Sequence, residues 1–174
     1  KRDASALLPE AASTCLYLGA SSGGTVSHIH DNVCGAGNHH GGQVVAVDIS
    51  TRMMRDLVKL TERRQGLIPV LADARNPLAV APYIRGKADW LHQDLSIGDQ
   101  AETFVRMTSV FLKEGGTALL SLKAASERWM EGGDDARFEH SKSVIEDCQH
   151  LELLEVIDIS VFEEQHVVFH CVRV

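Results

Sequence analysis

Apolar, β-prone runs alternate with amphipathic stretches along this 174-residue chain, and that alternation constrains the fold more than any other feature. Seven runs predict strands, at 14–20, 43–48, 67–72, 88–93, 117–123, near 153–160 and at 166–173. Helices are predicted at about 25–34, 51–65, 99–113 and 135–150. Gly115 and Gly116 are expected to end a helix, and Gly132 and Gly133 to mark a loop. Strands that alternate with helices build a parallel sheet covered on both faces.

The last two predicted strands should be antiparallel. Only residues 161–165 separate them, whereas a parallel crossover needs a dozen or more residues. The predicted fold is therefore α/β and Rossmann-like, with a mostly parallel seven-stranded sheet, an antiparallel C-terminal strand and helices on both faces. Residues 1–174 are expected to form a single domain, with 1–13 as the end of an N-terminal region that is missing.

Composition narrows the class of protein. The chain has 24 acidic and 17 basic side chains, a net charge of −7, whereas proteins that hold nucleic acid unaided usually show a basic excess. No apolar run approaches the roughly 20 residues that cross a bilayer, and no signal peptide is evident. Four scattered cysteines predict free thiols in a reducing compartment. We expect a soluble, intracellular protein without a membrane partner.

A glycine-rich turn, residues 19–24, follows the first predicted strand. Glycines there let the backbone approach a ligand, and the next helix offers free N–H groups. The glycine spacing does not match the GxGxxG pattern of a dinucleotide site. It does match GxSxG, with Ser21 as a nucleophile. A hydrolase elbow normally follows several earlier strands, and only about 13 residues precede this one, which disfavours that alternative.

Two aspartates end the next two predicted strands. Asp48 lies 29 positions after Gly19 and could accept hydrogen bonds from both hydroxyls of a ribose. Asp73 follows the third strand, where it could meet an adenine edge with the Ala74 backbone beside it. The alternative is that both aspartates only cap strand ends. These positions favour a nucleoside ligand at the carboxyl edge of the sheet.

A cluster of histidines and a cysteine could indicate a metal site; its members are His28, His30, Cys34, His39 and His40. His28 and His30 are two residues apart, a spacing that points them in different directions on a helix. We therefore predict no metal site.

Six segments resemble the motifs of the fibrillarin family, in the family's order. They are LYLGASSGGTVSH (16–28), VVAVDIS (44–50), LIPVLADARNP (67–77), ADWLHQDLS (88–96), FLKEGGTALLSLKA (111–124) and FEEQHVVFHCV (162–172). The resemblance covers 14–174 and implies a methyltransferase that uses S-adenosylmethionine (SAM) to methylate the 2′-hydroxyl of RNA, such as pre-rRNA.

The resemblance also implies partners and a location. Fibrillarin-like enzymes act in box C/D ribonucleoproteins, where a guide RNA selects the nucleotide and a scaffold protein holds the catalytic subunit. Delegated RNA binding agrees with the acidic charge. The location would be the nucleolus in a eukaryote, which nine histidines and four cysteines favour, and otherwise the cytoplasm.

Particular residues take on roles by the same resemblance. The catalytic group would be Lys123, which activates the 2′-hydroxyl, Asp94, which orients it, and His166, which orients the substrate or Lys123. The SAM contacts would be Gly19, Ala20, Gly24, Thr25, Asp48, Ile49, Asp73, Ala74, Asp94, Leu95, Ser96 and Ile97. The alternatives are an ordinary strand-end lysine for Lys123 and a backbone-bonded hairpin residue for His166.

The chain departs from the family pattern at several positions. Gly24 stands for a threonine, Ile97 for a glutamine and Asp48 for a glutamate. The family's first catalytic lysine, in an R-S-K-L segment, has no match within 1–13, and the glycine/arginine-rich tail of eukaryotic members is absent. Two alternatives therefore stay open: a methyltransferase of protein side chains, and a catalytically silent assembly subunit.

Overall fold

The computed structural model describes residues 7–126, 133–161 and 165–174. The strands are β1 (Thr14–Leu18), β2 (Gln43–Asp48), β3 (Leu67–Leu71), β4 (Ala88–Gln93), β5 (Leu112–Lys123), β6 (Leu151–Asp158) and β7 (His166–Arg173). The helices are α1 (Gly24–Val33), α2 (Thr51–Thr61), α3 (Pro77–Val80), α4 (Gln100–Phe111) and α5 (Gly133–Glu146), with short 3₁₀ turns at Ala36–Asn38, Ala81–Tyr83 and Ala124–Ser126. The predicted alternation is confirmed.

The described strands form one seven-stranded sheet in the order β3-β2-β1-β4-β5-β7-β6. β1 pairs in parallel with β2 and β4, and β7 runs antiparallel to both β5 and β6. The predicted fold class is therefore confirmed. Strand order reverses between β1 and β4, and in open α/β sheets ligands bind beyond the carboxyl ends of the strands at such a switch point.

Both faces of the sheet are covered, because successive side chains of a strand point to opposite faces. Leu16 and Leu18 of β1 belong to the buried cluster that includes Phe104 of α4 and Ile145 of α5. Tyr17 belongs to the opposite cluster, which holds residues of α1 and α2. β1 is thus buried on both faces, as its continuous apolar sequence predicts.

The start of β5 corrects one prediction. The strand begins at Leu112, directly after α4, so Gly115 and Gly116 lie within β5 and do not end a helix. Against β4, Ala88 pairs with Leu112 and Trp90 with Thr117, so residues 113–116 of β5 form a bulge opposite the single residue 89 of β4. Gly115, with a φ of +71°, accommodates that bulge.

Other element boundaries shift by a few residues. α2 ends at Thr61 and not near 65, and β6 spans Leu151–Asp158 rather than 153–160. The four-residue helix α3 was not predicted; it begins at Pro77 after Asn76, whose side chain accepts a hydrogen bond from the Leu78 N–H. Gly132 lies outside the described residues.

Candidate active site

A cavity of about 390 Å³ opens at the carboxyl ends of β1 to β4. Its size suits a nucleoside-sized ligand. The lining residues are the last residues of these strands or lie just after them: Gly19, Ser21, Val47, Asp48, Ile49, Ala72, Asp73, Ala74, Arg75, Asp94, Leu95, Ser96 and Ile97. The cavity therefore occupies the switch point that the strand order creates.

Gly19 joins the turn after β1 to the loop after β4. A Cβ atom at this position would lie 1.9 Å from the carbonyl oxygen of Asp94, and the φ of +91° disfavours any other residue. The N–H groups of Gly19 and Ala20 both donate to the Val47 carbonyl oxygen at 2.9 Å. Ends of three neighbouring strands are thus held together around the cavity.

The Asp48 carboxylate is anchored by two backbone amides. Oδ2 accepts from the Ser21 N–H at 2.7 Å, and Oδ1 accepts from the Ser50 N–H at 2.7 Å. A carboxylate oxygen has two acceptor sites, so each oxygen can still accept from a ligand hydroxyl. Asp48 therefore caps the strand end and also lines the cavity, and its contact with a ribose stays a prediction.

Asp73 is bound by Arg75, a residue that sequence reasoning missed. Asp73 Oδ2 accepts from Arg75 Nη2 at 2.7 Å, and Oδ1 accepts from the Arg75 backbone N–H at 2.9 Å. These hydrogen bonds hold the pKa of Asp73 below its usual value. Arg75 therefore occupies part of the hydrogen-bond acceptor capacity of the Asp73 carboxylate. Arg75 itself also lines the cavity. The signal was a basic residue two positions after a strand-end aspartate.

Ile49 supplies exposed apolar surface to the cavity. It is 67% exposed, whereas nearby Val47 in β2 is fully buried. Across the lining, Ala74 is buried to 6% exposure. A ligand with a flat apolar face would cover the Ile49 side chain and remove it from water.

Nine of the twelve predicted cofactor contacts line this cavity; the remaining three are Ala20, Gly24 and Thr25. Ala20 is buried in the core beside α1. Gly24 and Thr25 are exposed in the first turn of α1, where Gly23 provides no side-chain cap and no acidic residue is present. Their roles remain predictions. Ser21, Val47 and Ala72 line the cavity without having been singled out as cofactor contacts.

Lys123 is the last residue of β5, and its backbone is clamped by the side chain of Gln100. The Lys123 N–H donates to Gln100 Oε1 at 3.1 Å, and Gln100 Nε2 donates to the Lys123 carbonyl oxygen at 3.1 Å. Gln100 is fully buried at the start of α4. In the antiparallel ladder Lys123 pairs with His166, the first residue of β7 and itself 8% exposed.

The same helix start also holds the end of β4. Gln93, fully buried, donates from Nε2 to the Gln100 carbonyl oxygen at 2.8 Å. Asp94 follows, exposed, with its N–H donating to the Leu18 carbonyl oxygen at 2.8 Å. Asp94 and Lys123 therefore stand at the carboxyl ends of two adjacent parallel strands, and both strand ends are tied to Gln100.

The histidine cluster serves other purposes within the described ranges, where no group of three or more His, Cys, Asp or Glu residues could hold a metal ion. Buried His30 contacts the Gln65 carbonyl oxygen through Nε2 at 2.9 Å and Arg64 through Nδ1 at 3.2 Å. The rings of His39 and His40 contact each other, with centroids 4.0 Å apart. Across the same ranges, every helix is too short or too polar to span a membrane.

Comparison with known proteins identifies the family. The fibrillarin family model matches residues 4–173, nearly the whole chain. The chain belongs to the fibrillarin family. Its resemblance to fibrillarin motifs is thereby confirmed. A Methanopyrus kandleri relative named fibrillarin-like rRNA/tRNA 2′-O-methyltransferase is 34% identical over 158 residues, which are 91% of this chain and 65% of the relative. The chain thus spans just under two thirds of that relative.

Solved fibrillarin structures share the fold. Aeropyrum pernix fibrillarin, crystallised with natively bound SAM, superposes with a TM-score of 0.79 at 28% identity, covering 94% of this chain and 67% of that one. Fibrillarin in complex with Nop5p superposes with a TM-score of 0.80 at 29% identity, covering 94% and 73%.

Proposed function

We propose that this chain is the methyltransferase domain of an enzyme that uses SAM to methylate the ribose 2′-hydroxyl of RNA within a box C/D ribonucleoprotein. One observation carries the proposal. In a member of the fibrillarin family, a nucleoside-sized cavity with a fixed carboxylate adjoins the strand ends that present Asp94 and Lys123.

The cavity residues fit SAM by their chemistry. The anchored carboxylate of Asp48 would accept hydrogen bonds from the ribose hydroxyls. The exposed side chain of Ile49 and the Ala74 backbone would cover the base, with Asp73 at its edge. Gly19 contributes to the cavity wall. Leu95, Ser96 and Ile97 complete the wall, and the amide groups of Gly24 and Thr25 at the start of α1 favour a carboxylate.

SAM supplies, when bound, a methyl group on a sulfonium that is open to in-line displacement. The chain's contribution would be alignment and activation of the 2′-hydroxyl. Lys123 would accept its proton or stabilise the developing alkoxide, and Asp94 would orient the pair. His166, opposite Lys123 in the β-ladder, would position the substrate or the lysine.

Partners follow from the same proposal. A net charge of −7 suits an enzyme whose target choice is delegated to a guide RNA and a scaffold protein. A fibrillarin of the same fold forms a complex with Nop5p, which supports a scaffold partner of that kind. Such particles would place the protein in the nucleolus of a eukaryote, or in the cytoplasm of a cell without a nucleus.

Reconstitution with guide RNA, scaffold protein and labelled SAM tests the activity. Mass spectrometry should find the label on one RNA ribose 2′-oxygen. Label on protein would instead support a protein methyltransferase, and no label despite SAM binding would support a silent assembly subunit.

Lys123→Ala separates catalysis from cofactor binding in the same assay. Transfer should fall by at least about a thousandfold, within the range that acid–base and electrostatic groups contribute. SAM affinity, measured by calorimetry, should stay nearly unchanged. Equal loss of both would contradict the assigned role.

A further inference from the structure

Helix α2 carries an exposed basic stripe. Arg52, Arg55 and Lys59 lie on α2, and Arg63 follows shortly after its end; all four are exposed. Spacings of three and four residues place Arg52, Arg55 and Lys59 on one side of the helix. Arg63 lines the same cavity as Lys59. From Arg52 to Lys59 the stripe is about 10 Å long at the α-helical rise.

The charge of this segment opposes that of the rest of the chain. Residues 51–64 contain five basic and two acidic side chains, a net charge of +3. Because the whole chain carries −7, the remaining residues carry −10. Residues 51–64 are therefore a locally positive segment within a chain that is acidic as a whole.

Most arginines elsewhere in the described ranges have structural partners. Arg64 pairs with Asp31, Arg75 with Asp73, Arg106 with Asp99 and Arg137 with Asp134, while Arg173 donates to carbonyl oxygens at the end of α4. Within the same ranges the structure gives no ion pair or side-chain hydrogen bond for Arg52, Arg55 or Arg63. Lys59 contacts Asp56, a partly exposed side chain, at 3.4 Å. The stripe presents its charge to solvent.

Folding does not account for the first half of the stripe. Arg52 lies in the first turn of α2, which contains no acidic residue. Cations are disfavoured there because the helix dipole is positive at its N-terminus. Lys59 and Arg63 lie near the C-terminal end of α2, where the helix dipole favours cations, whereas Arg52 lies at the end where it does not. A bound anion would reverse that disadvantage.

We propose that the α2 stripe binds the phosphodiester backbone of RNA, an inference that rests on the proposed function. The cavity residues Asp48 and Ile49 lead through Ser50 into the first turn of α2, so the stripe begins at the cofactor cavity. An RNA strand offers regularly repeated phosphates, which arginine binds through paired N–H groups. The far end of the stripe meets a second cavity, of about 660 Å³, lined in part by Lys59 and Arg63.

Fluorescence anisotropy with a labelled 20-nucleotide single-stranded RNA, titrated across a salt series, tests the stripe. The test variant is Arg55→Gln with Arg63→Gln. The matched control is Arg85→Gln with Lys142→Gln, which removes the same charge away from α2. The test variant should bind roughly tenfold more weakly at 50 mM salt, and its slope of log Kd against log salt should fall by about 1.4, from two lost phosphate contacts. The control should retain the wild-type slope.

Equal affinity and slope for the test variant and the control would overturn the inference, as would no RNA binding by the wild-type chain at low salt. A polyglutamate peptide serves as a second probe; if the test variant lost affinity for this peptide alone, the stripe would be assigned to an acidic protein. SAM affinity and methyl transfer in the reconstituted particle are measured separately. A negative result for the stripe would therefore leave the proposed function untouched, and those two measurements test that function separately.

Discussion

Gly19 shows how one residue holds the site together. We predict that Gly19→Ala destabilises the protein by about 3 kcal/mol, because a Cβ would meet the Asp94 carbonyl oxygen and a positive φ strains alanine. Urea denaturation measures the change. Gly37→Ala is the matched control, since Gly37 has a φ of +60° and no atom within 4 Å of the position that a Cβ would take. Equal destabilisation by both variants would show that the contact with Asp94 contributes nothing.

Substitution of Asp48 tests the predicted contact with the cofactor ribose. We expect Asp48→Asn to weaken SAM binding at least about tenfold, a loss of roughly 1.4 kcal/mol. The amide has a single acceptor oxygen, so it cannot accept from both backbone amides and both ribose hydroxyls. Calorimetry gives the affinity. Asp158→Asn is the control, because Asp158 also accepts a hydrogen bond from a backbone N–H, that of Ser160, but lies outside the cavity lining. Unchanged SAM affinity in Asp48→Asn would remove the ribose contact.

At the scale of elements, Gln100 joins the start of α4 to the two strand ends that carry the predicted catalytic residues. Gln100→Leu leaves the Lys123 N–H and carbonyl without these partners, so we expect a destabilisation of about 2–4 kcal/mol. Turnover should fall more than SAM affinity, because Lys123 loses its position while the cavity lining is unchanged.

The control for Gln100 is Thr108→Val, which removes another buried polar group of α4 far along the helix from Lys123. It should reduce stability without changing the ratio of turnover to SAM affinity. If Gln100→Leu behaved in the same way, its role would be structural only.

Strand and helix order was predictable because buried parallel strands have continuous apolar sequences and their carboxyl ends meet at one edge. Asp48 and Asp73 could be placed at that edge for this reason, whereas Asp94 was singled out by the resemblance to the fibrillarin family. The start of β5 could not be predicted, since Gly115 and Gly116 resemble a helix end until the bulge against β4 is known. Arg75 was missed because its contact with Asp73 depends on local turn geometry.

At the scale of the whole molecule, stability should depend on pH through His92. The His92 ring contacts Tyr17 and Trp90, and burial lowers the pKa of His92 to about 4. In the unfolded chain this histidine takes up a proton near pH 6.5. Its contribution to the free energy of unfolding is therefore complete above that pH and is lost as pH falls toward 4, by up to about 3 kcal/mol. Urea denaturation from pH 7 to 4 measures the loss.

His92→Gln serves as the comparison for that pH series. The variant lacks the titrating group, so its stability should change less over this range than that of the wild type. Asp73, whose pKa is lowered by Arg75, contributes in a separate window, because its stabilisation is lost only as pH falls below the usual aspartate value. Parallel curves for wild type and His92→Gln would exclude the histidine as the cause.

The charge distribution also belongs to the whole molecule. The basic stripe of α2 favours RNA contact at that surface, and the net charge of −10 on the residues outside 51–64 opposes unspecific contact with RNA. Selection of the target nucleotide would then depend on the guide and the scaffold.

A crystal structure of the chain with SAM tests the central claim most directly. We predict a nucleoside between Ile49 and Ala74, its ribose hydroxyls on Asp48, and its methyl group directed toward the side-chain nitrogen of Lys123. SAM bound elsewhere, or Lys123 directed away from the methyl group, would contradict the account.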